Sequence, residues 1–278
     1  MNQRSILLRK LAAAPHIVWA MLFILAPLIF VGYYAFTDDK GVFTFQNFTA
    51  MADPNYIGVF CRSISFAIIA TFICFLISYP LAYFISQMKV STQAMLIMLV
   101  MLPMWMNLLI RTYSWMTILE DNGVINSVLK GLFGLEEPIT MINTPAAVIL
   151  GMVYNYLPYM VMPLYSSMTK IDRSHIEAAR DLGANNALVM TRIIFPLSVS
   201  GIISGITMVF VPSISTFYIS QKLGGGNFDL VGDTIERQFQ LAYNYNLGAA
   251  MSLVLMVLIL ICMAIMNKFG DDEEGMVI

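Results

Sequence analysis

The side chains that could support enzymatic chemistry are few in this sequence, and their spacing excludes the common reaction types. The two histidines, His16 and His175, form no His-Glu-x-x-His pair, and the three cysteines are scattered among apolar residues. The glycines at residues 224–226 are not followed by Gly-Lys-Ser/Thr, so they form no phosphate-binding loop. We therefore predict no enzymatic activity, no metal site and no cofactor in this chain.

A short polar helix is the most specific local pattern. Ser174 is a favoured N-cap residue type, and Glu177 three positions later predicts a capping box. Gly183 is placed to end the helix, because glycine tolerates the left-handed conformation just past a helix terminus. The pattern therefore predicts a delimited helix from Ser174 to Leu182 within the segment 169–197.

One face of this predicted helix is small and apolar. Ile176 and Ala179 lie on it, with Ala178 and Leu182 beside them. Alanine side chains let another surface approach closely, so contact with a partner protein is one interpretation. A plain interfacial loop helix with no special role is the other, and these features alone do not separate the two.

The composition indicates the surroundings of the chain that carries this helix. Of the 278 residues, 59% are apolar and 12% are charged, whereas an ordinary soluble domain has about 45–50% apolar and about 25% charged residues. The net charge of -2 offers no basic excess for binding nucleic acid. We therefore predict that the chain lies in the lipid bilayer and that it does not bind nucleic acid.

Six uncharged apolar runs are long enough to cross a bilayer as helices. They comprise residues 17–36, 63–86, 94–110, 145–168, 198–220 and 247–266. The third run is short unless Arg111 snorkels at its end, and residues 112–119 either extend it to 119 or form an interfacial helix. We predict an all-α integral membrane protein with six transmembrane helices in a single domain, residues 1–278.

The basic residues favour one orientation of this predicted bundle. With the N-terminus inside, nine lysines and arginines lie in the cytoplasm and six lie outside, as the positive-inside rule requires. Both termini and the segment 169–197 are then cytoplasmic, whereas residues 224–226 are outside.

Two glycines four positions apart predict a close helix contact in the fifth run. Gly201 and Gly205 share one face, with Ser200 and Ser204 beside them, and small residues at this spacing let two helices approach closely. The partner helix lies either in this chain or in a second subunit, and we favour packing within the chain.

A longer pattern around the predicted polar helix resembles a known family. Glu-Ala-Ala at residues 177–179, then Gly183, Ile193 and Phe195-Pro196, reproduces the spacing Glu-Ala-Ala-x3-Gly-x9-Ile-x-Leu-Pro. This is the EAA motif of the permease subunits of binding-protein-dependent ABC importers, and the one departure is Phe195 in place of leucine. Residues 102–115, 122–126, 157–167 and 223–225 resemble the spermidine/putrescine branch of that family.

The resemblance implies a type I ABC importer permease in the bacterial cytoplasmic membrane, forming half of a translocation pore. It implies four kinds of partner: a homologous second permease, two ATPase subunits that carry ATP and Mg, an extracytoplasmic substrate-binding protein and the lipid bilayer. The segment 169–197 would be the coupling loop that contacts an ATPase. The residues implied in coupling are Ser174, Glu177, Ala178, Ala179, Leu182 and Gly183.

A polyamine is a multiply charged cation, yet the six apolar runs contain no carboxylate. We therefore expect aromatic faces and amide oxygens to guide the cargo, since a cation–π contact contributes about 0.5–2 kcal/mol. The candidate pathway residues are Trp105, Asn107, Tyr113, Trp115, Glu120, Asp121, Tyr154, Asn155 and Tyr156. Interfacial belts of tyrosine and tryptophan are the alternative explanation of the aromatic members.

Two other functions stay open at this point. One keeps the ABC permease but replaces the cargo with an iron, thiamine or sulfate-type solute, because the EAA motif does not select substrate. The other is a membrane scaffold without a pore, which would not require a delimited helix with small residues on its largest cytoplasmic loop.

Overall fold

The computed structural model describes residues 15–134 and 137–274, and the regular elements among them are helices, apart from one isolated bridge between Thr37 and Phe43. The helices are α1 (Pro15–Ala35), α2 (Gln46–Ala50), α3 (Pro54–Ser86), α4 (Val90–Met101), α5 (Leu108–Leu119), α6 (Val124–Phe133), α7 (Pro145–Met168), α8 (Arg173–Asp181), α9 (Asn186–Leu197), α10 (Val199–Ile214), α11 (Tyr218–Gly224), α12 (Val231–Gln240) and α13 (Tyr245–Glu274). The prediction of an all-α protein is therefore confirmed.

Four of these helices are long and apolar enough to cross a bilayer without a break: α1, α3, α7 and α13 as far as Met266. Two further crossings are possible by length and composition if each of two bent pairs is counted as one span. One pair joins residues 90–105 to 108–133 with a bend of 90°, and the other joins α9 to α10 with a bend of 70°.

The third predicted span, residues 94–110, is not a continuous helix. After α4 the chain forms a 3-10 turn, Leu102–Trp105, with Pro103 inside it, and Met106 is then extended. Asn107 starts α5, because its side-chain oxygen accepts a hydrogen bond from the Leu109 backbone N–H at 2.8 Å. The polar Asn107 is thus a helix cap that the apolar count overlooked, and residues 112–119 belong to the helix that begins after it.

Other helix ends also differ from the predicted spans. α3 begins at Pro54 and not at residue 63, because Asp53 accepts a hydrogen bond from the Asn55 backbone N–H and proline suits the first helical turn. α10 ends at Ile214 and not at residue 220, and a new helix starts at Tyr218.

The contacts within the chain define two compact units, which are described separately. The first contains the described residues up to 57 together with residues 234–257. Its core packs Ala35 at the end of α1 against Ala249 and Ala250 of α13, and these three side chains are buried. Asn246 donates a hydrogen bond to the Thr37 carbonyl oxygen at 2.6 Å, which ties the chain after α1 to the start of α13. The prediction of a single permease domain stays a prediction.

The second unit contains the described residues of 58–233 and 258–274. The predicted glycine contact is present here, between α10 and α7 of the same chain. A β-carbon on Gly201 would lie 2.5 Å from Ser167 Cβ and 2.8 Å from the Pro163 carbonyl oxygen, and one on Gly205 would lie 2.6 Å from Met160 Sδ. Only glycine permits this approach of the two helix backbones, so the prediction of packing within the chain is confirmed.

Candidate functional site: the polar helix α8 and a set of aromatic and amide side chains

The polar helix predicted from Ser174 to Leu182 is present as α8, one residue earlier at both ends. Its N-cap is Asp172, whose Oδ1 accepts a hydrogen bond from the Ser174 backbone N–H at 2.9 Å. This bond and one from the Ser174 side chain lower the pKa of the Asp172 carboxyl, because they stabilise its charged form. The predicted capping box of Ser174 and Glu177 is therefore wrong, since Ser174 lies inside the helix.

The end of α8 follows the expectation for Gly183. This glycine has φ of +83°, and a β-carbon built there meets no atom within 4 Å, so backbone conformation and not crowding favours glycine. The Gly183 N–H donates to the Arg180 carbonyl oxygen at 2.9 Å, and the Ala184 N–H donates to that of Ala179 at 3.0 Å. These two bonds form a Schellman motif, which ends the helix abruptly.

The two sides of α8 have different surroundings. Ile176 is buried in the main hydrophobic cluster with Val189 and Ile194 of α9, and Ala179 packs partly against the same cluster. Leu182, in contrast, is 89% exposed. The prediction that Leu182 shares an apolar face with Ile176 is wrong, because Leu182 lies just past the last helical residue.

The exposed side of α8 borders a groove shared with α9. The groove has a volume of about 660 Å³, and it is lined by Ser174 and Ala178 of α8 and by Leu182 just after the helix. Arg192 and Pro196 line it from α9. The Glu177 side chain is also exposed. Small and apolar side chains with charged neighbours suit contact with another protein surface.

The buried side of α8 connects it to the helices of the second unit. A polar pocket of about 240 Å³ lies between Ile176 and the ends of α3, α4 and α7. Beside it, the Tyr165 hydroxyl donates to Gln93 Oε1 at 3.0 Å, and Gln93 Nε2 donates to the Ser86 carbonyl oxygen at 3.0 Å. α3, α4 and α7 are thus joined to one another beside α8, and Ile176 of α8 lines the pocket that they border.

The predicted pathway residues near the broken third span are largely exposed. Trp105, at the end of the 3-10 turn, is 77% exposed, and Asn107 beside it is occupied with capping α5. Glu120 and Asp121 are exposed where α5 ends.

The α7 members of the predicted set have different environments from one another. Tyr154 makes an edge-on contact with Trp115 of α5, with ring centroids 5.3 Å apart. The Tyr156 hydroxyl donates to the Pro212 carbonyl oxygen at 3.3 Å. Asn155 is only 3% exposed and donates to the Gly151 carbonyl oxygen of its own helix. Its Oδ1 has no hydrogen-bond partner within residues 15–134 and 137–274.

Arg111 was expected to snorkel at the end of the third span, but the structure places it differently. The side chain is half-buried, and its Nε and Nη1 atoms are buried without a hydrogen-bond partner in the described part of the chain. The break before Asn107 is the reason, because Arg111 then lies in the first turns of α5 and not at the end of a continuous span.

Two features of this region were missed by sequence reasoning. Asp172 is the helix cap, and the signal for it was present, since aspartate is as good an N-cap as serine. The second is an ammonium–aromatic cluster in which Lys222 lies over the rings of Tyr113 and Tyr218. The spacing of Tyr218 and Lys222, four residues apart on a helix, could have indicated half of it.

Comparison with known sequences shows strong similarity over almost the whole chain. The family model described as "Binding-protein-dependent transport system inner membrane component" matches residues 11–271. The spermidine/putrescine transport system permease protein PotB of Escherichia coli (strain K12) is 40% identical over 245 residues, which cover 86% of this chain and 89% of that protein. PotB of Haemophilus influenzae is 40% identical over 256 residues, covering 90% of each.

A solved structure supports the same fold at much lower identity. A bacterial ABC transporter involved in the import of the acidic polysaccharide alginate contains a chain that matches with a TM-score of 0.81. The match covers 97% of this chain and 96% of the other, with 17% sequence identity. At that identity, the likeness establishes the architecture of the helices and not the cargo.

Proposed function

The chain belongs to the family of binding-protein-dependent transport system inner membrane components, and on this premise we propose that it conducts polyamines as the permease subunit of an ATP-driven importer. The observation that carries the choice of cargo is its identity with spermidine/putrescine permeases over most of its length. The chain is a membrane transport subunit, and in this proposal a separate partner hydrolyses ATP.

The coupling step is assigned to α8 and the groove beside it. Ile176 anchors the helix in the hydrophobic core, whereas Glu177, Ala178 and Leu182 are exposed toward a partner. In the proposed complex, two ATPase subunits bind ATP and Mg, and their closure draws α8 toward the equivalent helix of a second, homologous permease. The pocket side of α8 then moves the ends of α3, α4 and α7, and the pore changes from inward-facing to outward-facing.

The cargo is proposed to reach this pore from an extracytoplasmic substrate-binding protein. Weak, repeated attraction by aromatic rings and amide oxygens suits a conduit, because a single strong buried carboxylate would hold a polycation and slow its release. The exposed Trp105 at the break, and Glu120 and Asp121 at the end of α5, are the residues proposed to meet the cargo first. Selectivity would then reside mainly in the binding protein.

Uptake by proteoliposomes tests the cargo assignment. We expect vesicles that contain this subunit, its permease partner and the ATPase to accumulate radiolabelled spermidine when the loaded binding protein and ATP are supplied. A non-hydrolysable ATP analogue should abolish accumulation. Uptake of an anion or of a neutral solute, with no uptake of spermidine or putrescine, would contradict the proposal.

The orientation in the membrane leads to a second prediction. We propose that both termini are cytoplasmic in the bacterial inner membrane and that Asn227, an exposed residue after α11, lies outside. A cysteine introduced as Asn227→Cys is expected to react with an impermeant thiol reagent in intact spheroplasts. The chain's own exposed Cys61 is replaced by serine in both samples to lower background labelling. Labelling only after permeabilisation would reverse the assigned topology.

A further inference from the structure

The amino group of Lys222 lies against two tyrosine rings. Its Nζ is 5.5 Å from the ring centroid of Tyr113 on α5 and 5.8 Å from that of Tyr218 on α11. Both distances are within the range of a cation–π contact. A primary ammonium on a flexible four-carbon chain therefore lies against two tyrosine side chains, and the Tyr113 hydroxyl also interacts with the side chains of Tyr218 and Lys222.

The two rings are held in place by the packing of α11. Ile219 and Leu223, on the same short helix as Tyr218, are buried, and a β-carbon on Gly151 of α7 would lie 2.4 Å from Leu223 Cδ1. Asp233 is buried and accepts hydrogen bonds from Ser220 Oγ of α11 at 2.9 Å and the Leu230 N–H at 2.8 Å. The helix that carries Tyr218 is thus fixed by both packing and hydrogen bonds.

The site is accessible as well as ordered. Tyr113 is 48% exposed, and Tyr218 and Lys222 are half-buried. Lysine is the most mobile of the three, because its stem has four rotatable carbons and its charged group can move into water. The rings can therefore stay in place while the ammonium between them is exchanged.

We propose that Tyr113 and Tyr218 form a binding site for a terminal ammonium of the cargo and that Lys222 is its tethered competitor. This inference rests on the proposed polyamine function, because a polyamine ends in the same group, a primary ammonium on a short alkyl chain. Without cargo, the lysine occupies the site at high effective concentration. Cargo displaces it, and the returning charge of Lys222 then expels the cargo onward.

n-Butylammonium is the probe for this site, because it is the free counterpart of the lysine side chain. Binding is measured by saturation-transfer NMR of its methyl protons with the purified four-subunit complex in nanodiscs. Inhibition of spermidine uptake is measured with the same complex in proteoliposomes. Sodium chloride at equal concentration controls for ionic strength. Tyr113 is 48% exposed and Lys222 is half-buried, so we expect the variants below to fold. Copurification of the ATPase with each variant checks this.

Lys222→Met removes the competing ammonium and keeps most of the length of the side chain. We expect the concentration of butylammonium that half-saturates its NMR signal, measured without spermidine, to fall by about fivefold or more, because the probe no longer competes with a tethered ammonium. Lys222→Arg should resemble the wild type, since a guanidinium also lies over aromatic rings. Lys130→Met is the matched control, because it removes one lysine charge from α6 without opening a tyrosine pair.

The double variant Tyr113→Leu with Lys222→Met separates the site from general electrostatics. We expect this double variant to lose the tighter binding of butylammonium that Lys222→Met alone produces. The inference is overturned if Lys222→Met and Lys130→Met change the binding of butylammonium equally. It is also overturned if the tighter binding persists in the double variant that lacks Tyr113. If butylammonium binding depends on Lys222 and Tyr113 by NMR while spermidine is not transported, the ammonium site stands and the polyamine function fails.

Discussion

Leu182→Glu is expected to lower ATP-driven spermidine uptake by at least about tenfold, while the subunit still inserts into the membrane. Leu182 is 89% exposed at the end of α8, so the substitution removes no contact within the described chain that a folded subunit needs. In the proposed complex, however, it places an unpaired carboxylate into an apolar contact with the ATPase, and desolvating a charge is costly. Uptake by proteoliposomes and copurification of the ATPase with the tagged subunit measure the effect.

Leu188→Glu is the matched control for this prediction. Leu188 is also an exposed leucine of the segment 169–197, but it lies on α9 and does not line the groove beside α8. We expect its uptake to stay within about twofold of the wild type, the usual range for surface changes away from contacts. Equal uptake by Leu182→Glu and the wild type would remove α8 from the coupling pathway.

Two further substitutions alter α8 from within and complete the series. Ala179→Asp introduces a charge on the side that packs against the hydrophobic cluster, and Gly183→Val places a β-branched residue at a φ of +83°. Both should also impair uptake. Because they can weaken folding as well, their effect is read only together with that of Leu182→Glu.

Gly201→Leu is expected to have the largest effect on the stability of the subunit itself. Even a β-carbon at this position would lie 2.8 Å from the Pro163 carbonyl oxygen, a backbone atom that cannot turn aside as a side chain can. Separating α10 from α7 would also open the contact at Gly205. Overpacking of this kind typically costs about 1–3 kcal/mol, and a larger side chain that forces the helices apart should exceed that range.

The measurement is the melting temperature and the membrane abundance of the solubilised subunit, with Gly32→Leu as the control. A β-carbon on Gly32 of α1 meets no atom within 4 Å, so the same substitution is made in a membrane helix with free space. We expect Gly201→Leu to lower the melting temperature by about 5 °C or more and Gly32→Leu to leave it nearly unchanged. Similar melting temperatures for the two variants would show that the α7–α10 contact is not as close as described.

The candidate coupling helix was predictable because its signals are local. The conformation of Gly183 depends on one residue, and a helix end with glycine needs no knowledge of distant parts of the chain. The N-cap was assigned to Ser174 and not to Asp172 because both types cap helices, and the sequence alone does not rank two such candidates two positions apart. The position of Leu182 was assigned wrongly because α8 ends at Asp181, one residue earlier than predicted.

The four unbroken apolar helices, the family motif and the pair of glycines in α10 were determined by the sequence itself, because each is a pattern of residues close together in the chain. That these glycines pack against α7 of the same chain was decided by the tertiary structure. The break at Asn107 and the burial of Arg111 were decided by the tertiary structure, since an apolar count does not show where a new helix starts. The contact of Lys222 with Tyr113 was decided there too. This contact requires α11 to lie next to α5, and the packing of both helices against α7 is what places these distant residues together.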